Sequence, residues 1–136
     1  NARTVHLNMS IGGSFIERYS GDGILVATPA GSTAYNYSLG GSIVDPRLNL
    51  LQVTPMAPMN TTAYRSFTSS VLLPSELSLD LIPDMYEESA LSIIYDGFRK
   101  TYDNARSLTV SFSDIKVNLL RFEGYDFWTK VKSKFL

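Results

Sequence analysis

The sequence contains no cysteine and a single histidine, His6. A disulfide framework and thiolate metal sites are therefore excluded, and one imidazole is a poor anchor for a zinc ion that needs several ligands. Cysteine-free composition points to a cytosolic protein. Charge of one sign is equally scarce: 12 Lys and Arg against 13 Asp and Glu leave a formal net charge of -1. The broad basic field by which a protein gathers nucleic-acid backbones is missing, so no nucleic-acid partner is expected. Long apolar runs are absent as well. Nothing approaches the ~18 residues of a bilayer span, and the first residues lack a basic-then-apolar leader, so the expectation is a soluble protein with no membrane partner. Internal repeats and low-complexity tracts are also lacking. Asn1-Ala2 fits an expression scar on a domain cut from a longer chain.

What is present is enough for one core. The chain has 136 residues, 44% hydrophobic and 18% charged, which suits a single globular domain over residues 1–136. Short apolar-polar alternations from Thr4 to Ile11 and Ser14 to Tyr19 flank Gly12-Gly13, the pattern of a hairpin. Ile24 to Ala27 reads as a buried strand ending at Thr28-Pro29, and Leu50 to Thr54 as another stopped by Pro55. Five more strands are predicted at Ser66 to Leu73, Leu77 to Ile82, Ala90 to Tyr95, Ser107 to Ser113 and Lys116 to Phe122, with Pro, Gly, Asp and Asn between them. Asp96-Gly97 reads as a hairpin turn. His6, between Val5 and Leu7, is expected to face solvent or sit at an edge. Alternation as in Leu108-Thr109-Val110-Ser111-Phe112 buries one face only, and an all-β, two-layer sandwich follows.

Two helical segments interrupt this rhythm. Ser32 to Leu39 is predicted as a short helix, with Ser32 and Thr33 as caps and free N–H groups at its amino end favouring polar or anionic ligands. Asp126 to Leu136 changes period, placing Phe127, Trp128, Val131 and Phe135 on one face of an amphipathic helix, better suited to core or subunit contact than to a lipid surface. A Gly- and Ser-rich turn between strand and helix is also a common self-capped device, and Tyr35 on it could stack on a ligand ring or pack in the core. Asp22, between two glycines, reads first as a turn residue.

The run Gly21-Asp22-Gly23-Ile24-Leu25-Val26-Ala27-Thr28-Pro29-Ala30-Gly31-Ser32-Thr33-Ala34-Tyr35 resembles a stretch of the NAD kinase family, D-G-hydrophobic-x-x-[ST]-T-P-[ST]-G-[ST]-T-A-Y. Ser38-Leu39-Gly40-Gly41-Ser42-Ile43-Val44 with Pro46, and Thr54-Pro55-Met56-Ala57-Pro58, are similar to its S-x-G-G-x-I-V-x-P and T-P-hydrophobic-A-P/S elements. Tyr64-Arg65, Asp96-Gly97 and Arg121-Phe122…Phe127-Trp128 extend the likeness more loosely over nearly the whole chain. The family's upstream G-G-D-G motif and N-E pair, whose Asp serves as base, are absent. Ser20-Gly21-Asp22-Gly23 belongs to the second motif and not to the first.

The resemblance implies the NAD-binding, carboxyl-terminal β-domain of an enzyme that phosphorylates the 2′-hydroxyl of NAD's adenosine ribose to make NADP, with ATP or polyphosphate as donor and Mg2+ or another divalent cation. It implies that Thr33, Ala34 and Tyr35 meet the adenine and nicotinamide portions, Ser38 the carboxamide and Asp22 the nicotinamide end, while Ala57 and Met59 line the adenosine pocket. No catalytic or metal-binding residue is expected in this chain, which alone should be inactive, and a homo-oligomer, dimer or tetramer, is expected. Two rivals remain: a lipid kinase of the diacylglycerol or sphingosine type, which shares a T-P-x-G-S-like turn, and a non-catalytic ligand-sensing or oligomerisation β-domain.

Overall fold

A computed structural model describes residues 4–84 and 90–136; Asn1-Ala2 lies outside the described residues. Strands β1 (Val5–Ile11) and β2 (Ser14–Gly21) form the predicted hairpin. Gly12 and Gly13 both hold positive φ, 56° and 82°, the backbone of a two-residue turn whose twist matches the flanking strands. Strand β1 also pairs with β6 (Leu79–Pro83), which pairs with the short β9 (Leu108–Val110), giving the order β2-β1-β6-β9. A second sheet, β3-β4-β5, is built from Gly23–Ala27, Leu50–Met56 and Val71–Pro74. Strands β7 (Ala90–Tyr95) and β8 (Phe98–Asp103) make a separate two-stranded hairpin.

The two larger sheets share one core, as the alternation requires. Leu7, Met9, Tyr19, Leu79 and Leu81 from the first meet Val53 and Leu73 from the second, and each buried Leu or Met side chain contributes about 1.5–3 kcal/mol by leaving water. Helix α1 (Tyr35–Ser38) follows β3 through a 3-10 turn at Ala30–Thr33, and α2 (Phe127–Phe135) closes the described chain. No helix among the described residues is long and apolar enough to cross a membrane.

Several local expectations are corrected. The predicted strand at Ser66 to Leu73 begins only at Val71. Its first residues bond to side chains instead of a neighbouring strand: the Ser66 amide donates to Asn60 Oδ1 at 2.9 Å and the Phe67 amide to Glu17 Oε1 at 2.8 Å. Lys116 to Phe122 is not a strand. Apolar residues alone supply no partner strand, and Ile115, Val117, Leu120 and Phe122 stand more than four-fifths exposed. Strand β8 escaped prediction because Arg99, Lys100 and Asp103 leave it no apolar alternation, with Phe98 and Tyr102 four residues apart; the Asp96-Gly97 turn that forms it, with φ of 48° and 77°, is where expected. His6 is not an edge residue. It lies half-buried on the central strand β1, its ring 4.6 Å from that of Tyr64.

Candidate functional site

After β3 the chain turns sharply, and buried polar groups hold the turn from beneath. Pro29 opens the 3-10 segment without a side-chain cap, while Thr28 Oγ1 accepts from the Gly31 amide at 3.2 Å. The predicted caps are not caps. Ser32 is fully buried and its Oγ accepts from the Val44 amide at 2.9 Å, tying the turn to the loop that follows α1. The expected helix over Ser32 to Leu39 divides at Ala34, and α1 itself has four residues, too few to build much dipole.

Asn36, 1% exposed, is the keystone. Its Nδ2 donates to Ser32 O at 3.0 Å and Ser42 O at 3.3 Å, and its Oδ1 accepts from Thr54 Oγ1 at 2.5 Å. Gln52 completes the floor, accepting from the Ser42 amide at 2.7 Å and donating back to Ser42 O at 3.0 Å. Each of these groups would cost free energy if left unpaired in the interior, so satisfying them fixes a single loop arrangement. Gly41 passes so close to the Asn36 amide that a β-carbon there would overlap it.

With Ser32 and Asn36 turned inward, the residues around them face out. Ala34, Tyr35 and Ser38 are exposed, Thr33 is partly so, and the Tyr35 ring stands 54% exposed. Tyr35 thus lies at the surface of this chain and not in its core.

Asp22, Ala57 and Met59 are assembled separately, where β2 passes into β3. The Asp22 amide donates to Met56 O at 2.8 Å and the Met59 amide to Ser20 O at 2.8 Å. Ser66 Oγ bridges Ser20 O (3.0 Å) and Met59 O (2.7 Å). The Tyr19 hydroxyl lies 2.7 Å from Gly23 O and accepts from the Met56 amide at 3.2 Å. Burial pushes this phenol up to about 12 despite the Met56 backbone bond that favours ionisation. Ala57 holds φ of 46°, a left-handed conformation that is uncommon outside glycine and marks a constrained loop. The two groups of predicted residues thus occupy opposite ends of β3, roughly 13 Å apart along the strand. Both are carried by the antiparallel β3–β4 ribbon, in which Gly23 faces Met56 and Ala27 faces Gln52.

Sequence reasoning passed over Asn36, Gln52, Thr54 and Ser66, all buried. A signal was available: Gln52 and Thr54 alternate with Leu51 and Val53, which marks one face of β4, but an alternating polar face normally means solvent. Here α1 and its following loop cover it. A separate apolar depression of about 320 Å³ lies against Val26, Thr28, Leu51, Val110, Phe112 and Ile115, and none of the sequence-predicted residues lines it.

Comparison with known proteins converges on one family. The ATP-NAD kinase C-terminal domain family matches residues 1–122. The chain is similar to an NAD kinase of Finegoldia magna, 39% identical over 97% of the chain and 49% of that protein, and to NAD kinase 1 of Oceanobacillus iheyensis, 36% identical over 98% of the chain and 49% of that protein. Among solved structures, an NAD kinase from Archaeoglobus fulgidus in complex with ATP superposes with a TM-score of 0.65 at 26% identity, covering 83% of this chain and 41% of that one. Yeast NADH kinase complexed with NADH gives 0.62 at 26% identity, covering 81% and 31%. The chain spans about half the length of the curated relatives it matches. These similarities do not favour the lipid-kinase rival.

Proposed function

This chain belongs to the NAD kinase family as its carboxyl-terminal domain, and on that premise we propose that it is the single acceptor-holding domain of an enzyme that phosphorylates the adenosine 2′-hydroxyl of NAD to give NADP. The observation that carries the reading is the division of labour in residues 28–42. Buried Ser32 and Asn36 fix the backbone, and that leaves Ala34, Tyr35 and Ser38 presented outward on a preformed turn. An exposed aromatic beside small polar groups suits a flat base with amide and hydroxyl substituents.

In this reading Thr33, Ala34 and Tyr35 meet the adenine and nicotinamide portions, Ser38 the carboxamide, Asp22 the nicotinamide end, and Ala57 with Met59 the adenosine. Phosphoryl transfer depends on positioning and on stabilising charge, so a domain that fixes the acceptor contributes by orientation. The base that takes the hydroxyl proton and the site for ATP or polyphosphate belong to the amino-terminal half that the relatives carry. Among the described residues no three His, Asp or Glu side chains come together to hold a metal, and a divalent cation such as Mg2+ arriving with the donor would supply charge neutralisation. Open strand edges on both sheets give a physical motive for a dimer or tetramer, and the cysteine-free composition suits the cytoplasm.

Calorimetric titration of the intact protein with NAD tests the site. Tyr35→Ala should weaken binding by about tenfold or more, the scale of one lost base-aromatic stack, and Asp22→Asn should weaken it less. Equal affinity in all three proteins would remove the assignment.

A further inference from the structure

The carboxyl-terminal helix is attached to the same segment that presents the exposed turn. Trp128, Val131 and Phe135 are spaced three and four residues apart, so they share one face of α2. The Trp128 indole Nε1 donates to Asp45 Oδ2 at 2.9 Å, Val131 is 3% exposed, and the Phe135 ring lies 4.5 Å from that of Tyr37. The contacts therefore fall at both ends of segment 37–45: one on α1 itself, the other on the loop that returns beneath it.

Asp45 is a strong anchor for such a contact. Its carboxylate also accepts from the Arg47 amide at 2.9 Å, from Arg47 Nε at 2.9 Å and from Arg47 Nη2 at 2.7 Å, a planar two-toothed pairing that fixes the carboxylate's orientation. The Asp45 side chain is 14% exposed although Arg47 is almost fully so. One residue earlier, the Val44 amide is held by Ser32 Oγ inside the Gly31-Ser32-Thr33 turn. A continuous chain of bonds thus runs from Trp128 through Asp45 and Val44 to Ser32, beside residues 33–38. On the helix side, Asp126 caps α2 by accepting from Thr129 Oγ1 at 2.7 Å and from the Trp128 amide at 3.4 Å, which fixes the rotation that aims the indole.

We propose that α2 is a clamp for the nucleotide turn, and that Trp128 and Phe135 are positioning residues which set how Tyr35 and Ser38 are presented. The clamp rests on the reading that this turn takes NAD. Neither side chain touches the ligand in this scheme. They act by restricting α1 and the 41–46 loop to one arrangement, so that binding does not have to order them.

The test uses the intact enzyme with Trp128→Phe, which keeps a ring but removes the N–H, and Phe135→Leu, which keeps bulk but removes the ring contact. The first readout is amide exchange at Tyr37 and Val44 without nucleotide, expected to quicken about tenfold in Trp128→Phe on loss of its charge-assisted bond and by up to about tenfold in Phe135→Leu on loss of its ring contact. The second is steady-state kinetics: KM for NAD should rise about tenfold with kcat held within about twofold, and KM for ATP should not move. Unchanged exchange in both variants overturns the clamp. So does faster exchange with KM for NAD unmoved while Tyr35→Ala raises it, since the turn then takes NAD but does not need α2. If exchange quickens and neither the clamp variants nor Tyr35→Ala shift KM for NAD, the site assignment itself has failed. Should Trp128→Phe not fold, Phe135→Leu carries both readouts alone.

Discussion

Asn36→Ala is the most informative single perturbation of the turn. The substitution removes three hydrogen bonds at once, to Ser32 O, Ser42 O and Thr54 Oγ1. Ser42 O keeps its bond from Gln52 Nε2, so its loss is small. Ser32 and Thr54 are each about 1% exposed or less, and a buried polar group left unpaired costs about 1–3 kcal/mol. Taking about 1–2 kcal/mol for each of those two, the lower part of that range, gives about 2–4 kcal/mol. For a domain of this size that is roughly a 7–15 °C fall in melting temperature, and urea unfolding followed by circular dichroism measures the free energy directly. The network also predicts non-additivity. Thr54→Val removes the hydroxyl that Asn36 Oδ1 accepts from, so the double variant should lose about 1 kcal/mol less than the sum of the two singles. A loss below about 0.5 kcal/mol for Asn36→Ala, or strict additivity with Thr54→Val, would refute the claim that this side chain holds the turn.

Other outcomes follow from the same geometry. Gly21→Ala should destabilise by about 1–3 kcal/mol in denaturant titration, because a β-carbon there meets the Tyr19 hydroxyl and the carbonyls of Met56 and Ala57. Ala57→Gly should be neutral or stabilising by up to about 1 kcal/mol, since the backbone already holds φ of 46°; a loss above that range would mean the methyl group packs. Tyr19 gives a pH signature. Its folded-state value, about 12, lies above the ordinary 10.0 because burial disfavours the phenolate, so its stabilisation is intact below pH 10 and declines as pH rises toward 12. Alkaline unfolding curves should show that decline, and Tyr19→Phe should flatten it while costing stability at neutral pH through the unpaired Gly23 and Met56 groups.

The division between what sequence and packing decide is visible in particular residues. Periodicity located the β1–β2 hairpin, β3, β4, β7 and α2 because those elements obey local rules: a two-residue glycine turn, a period of two, and a shift to a period near 3.6. The Thr28 to Tyr35 turn was legible because it was similar in sequence to a known family; in the structure Asp22, Ala34, Tyr35 and Ser38 are exposed and Thr33 is half-buried. Tertiary structure alone decided the rest. Whether Gln52 and Thr54 face water or a covering loop depends on where residues 30–46 fold back, and no local pattern encodes that. Ser32, read as a cap, became an interior acceptor for Val44 for the same reason. Lys116 to Phe122 has apolar residues enough for a strand, but a strand exists only where another strand completes its ladder, and among the described residues none does. Sequence thus determined which segments could be extended or helical, while long-range contact determined which of them found partners and so which polar side chains hold the candidate site in shape.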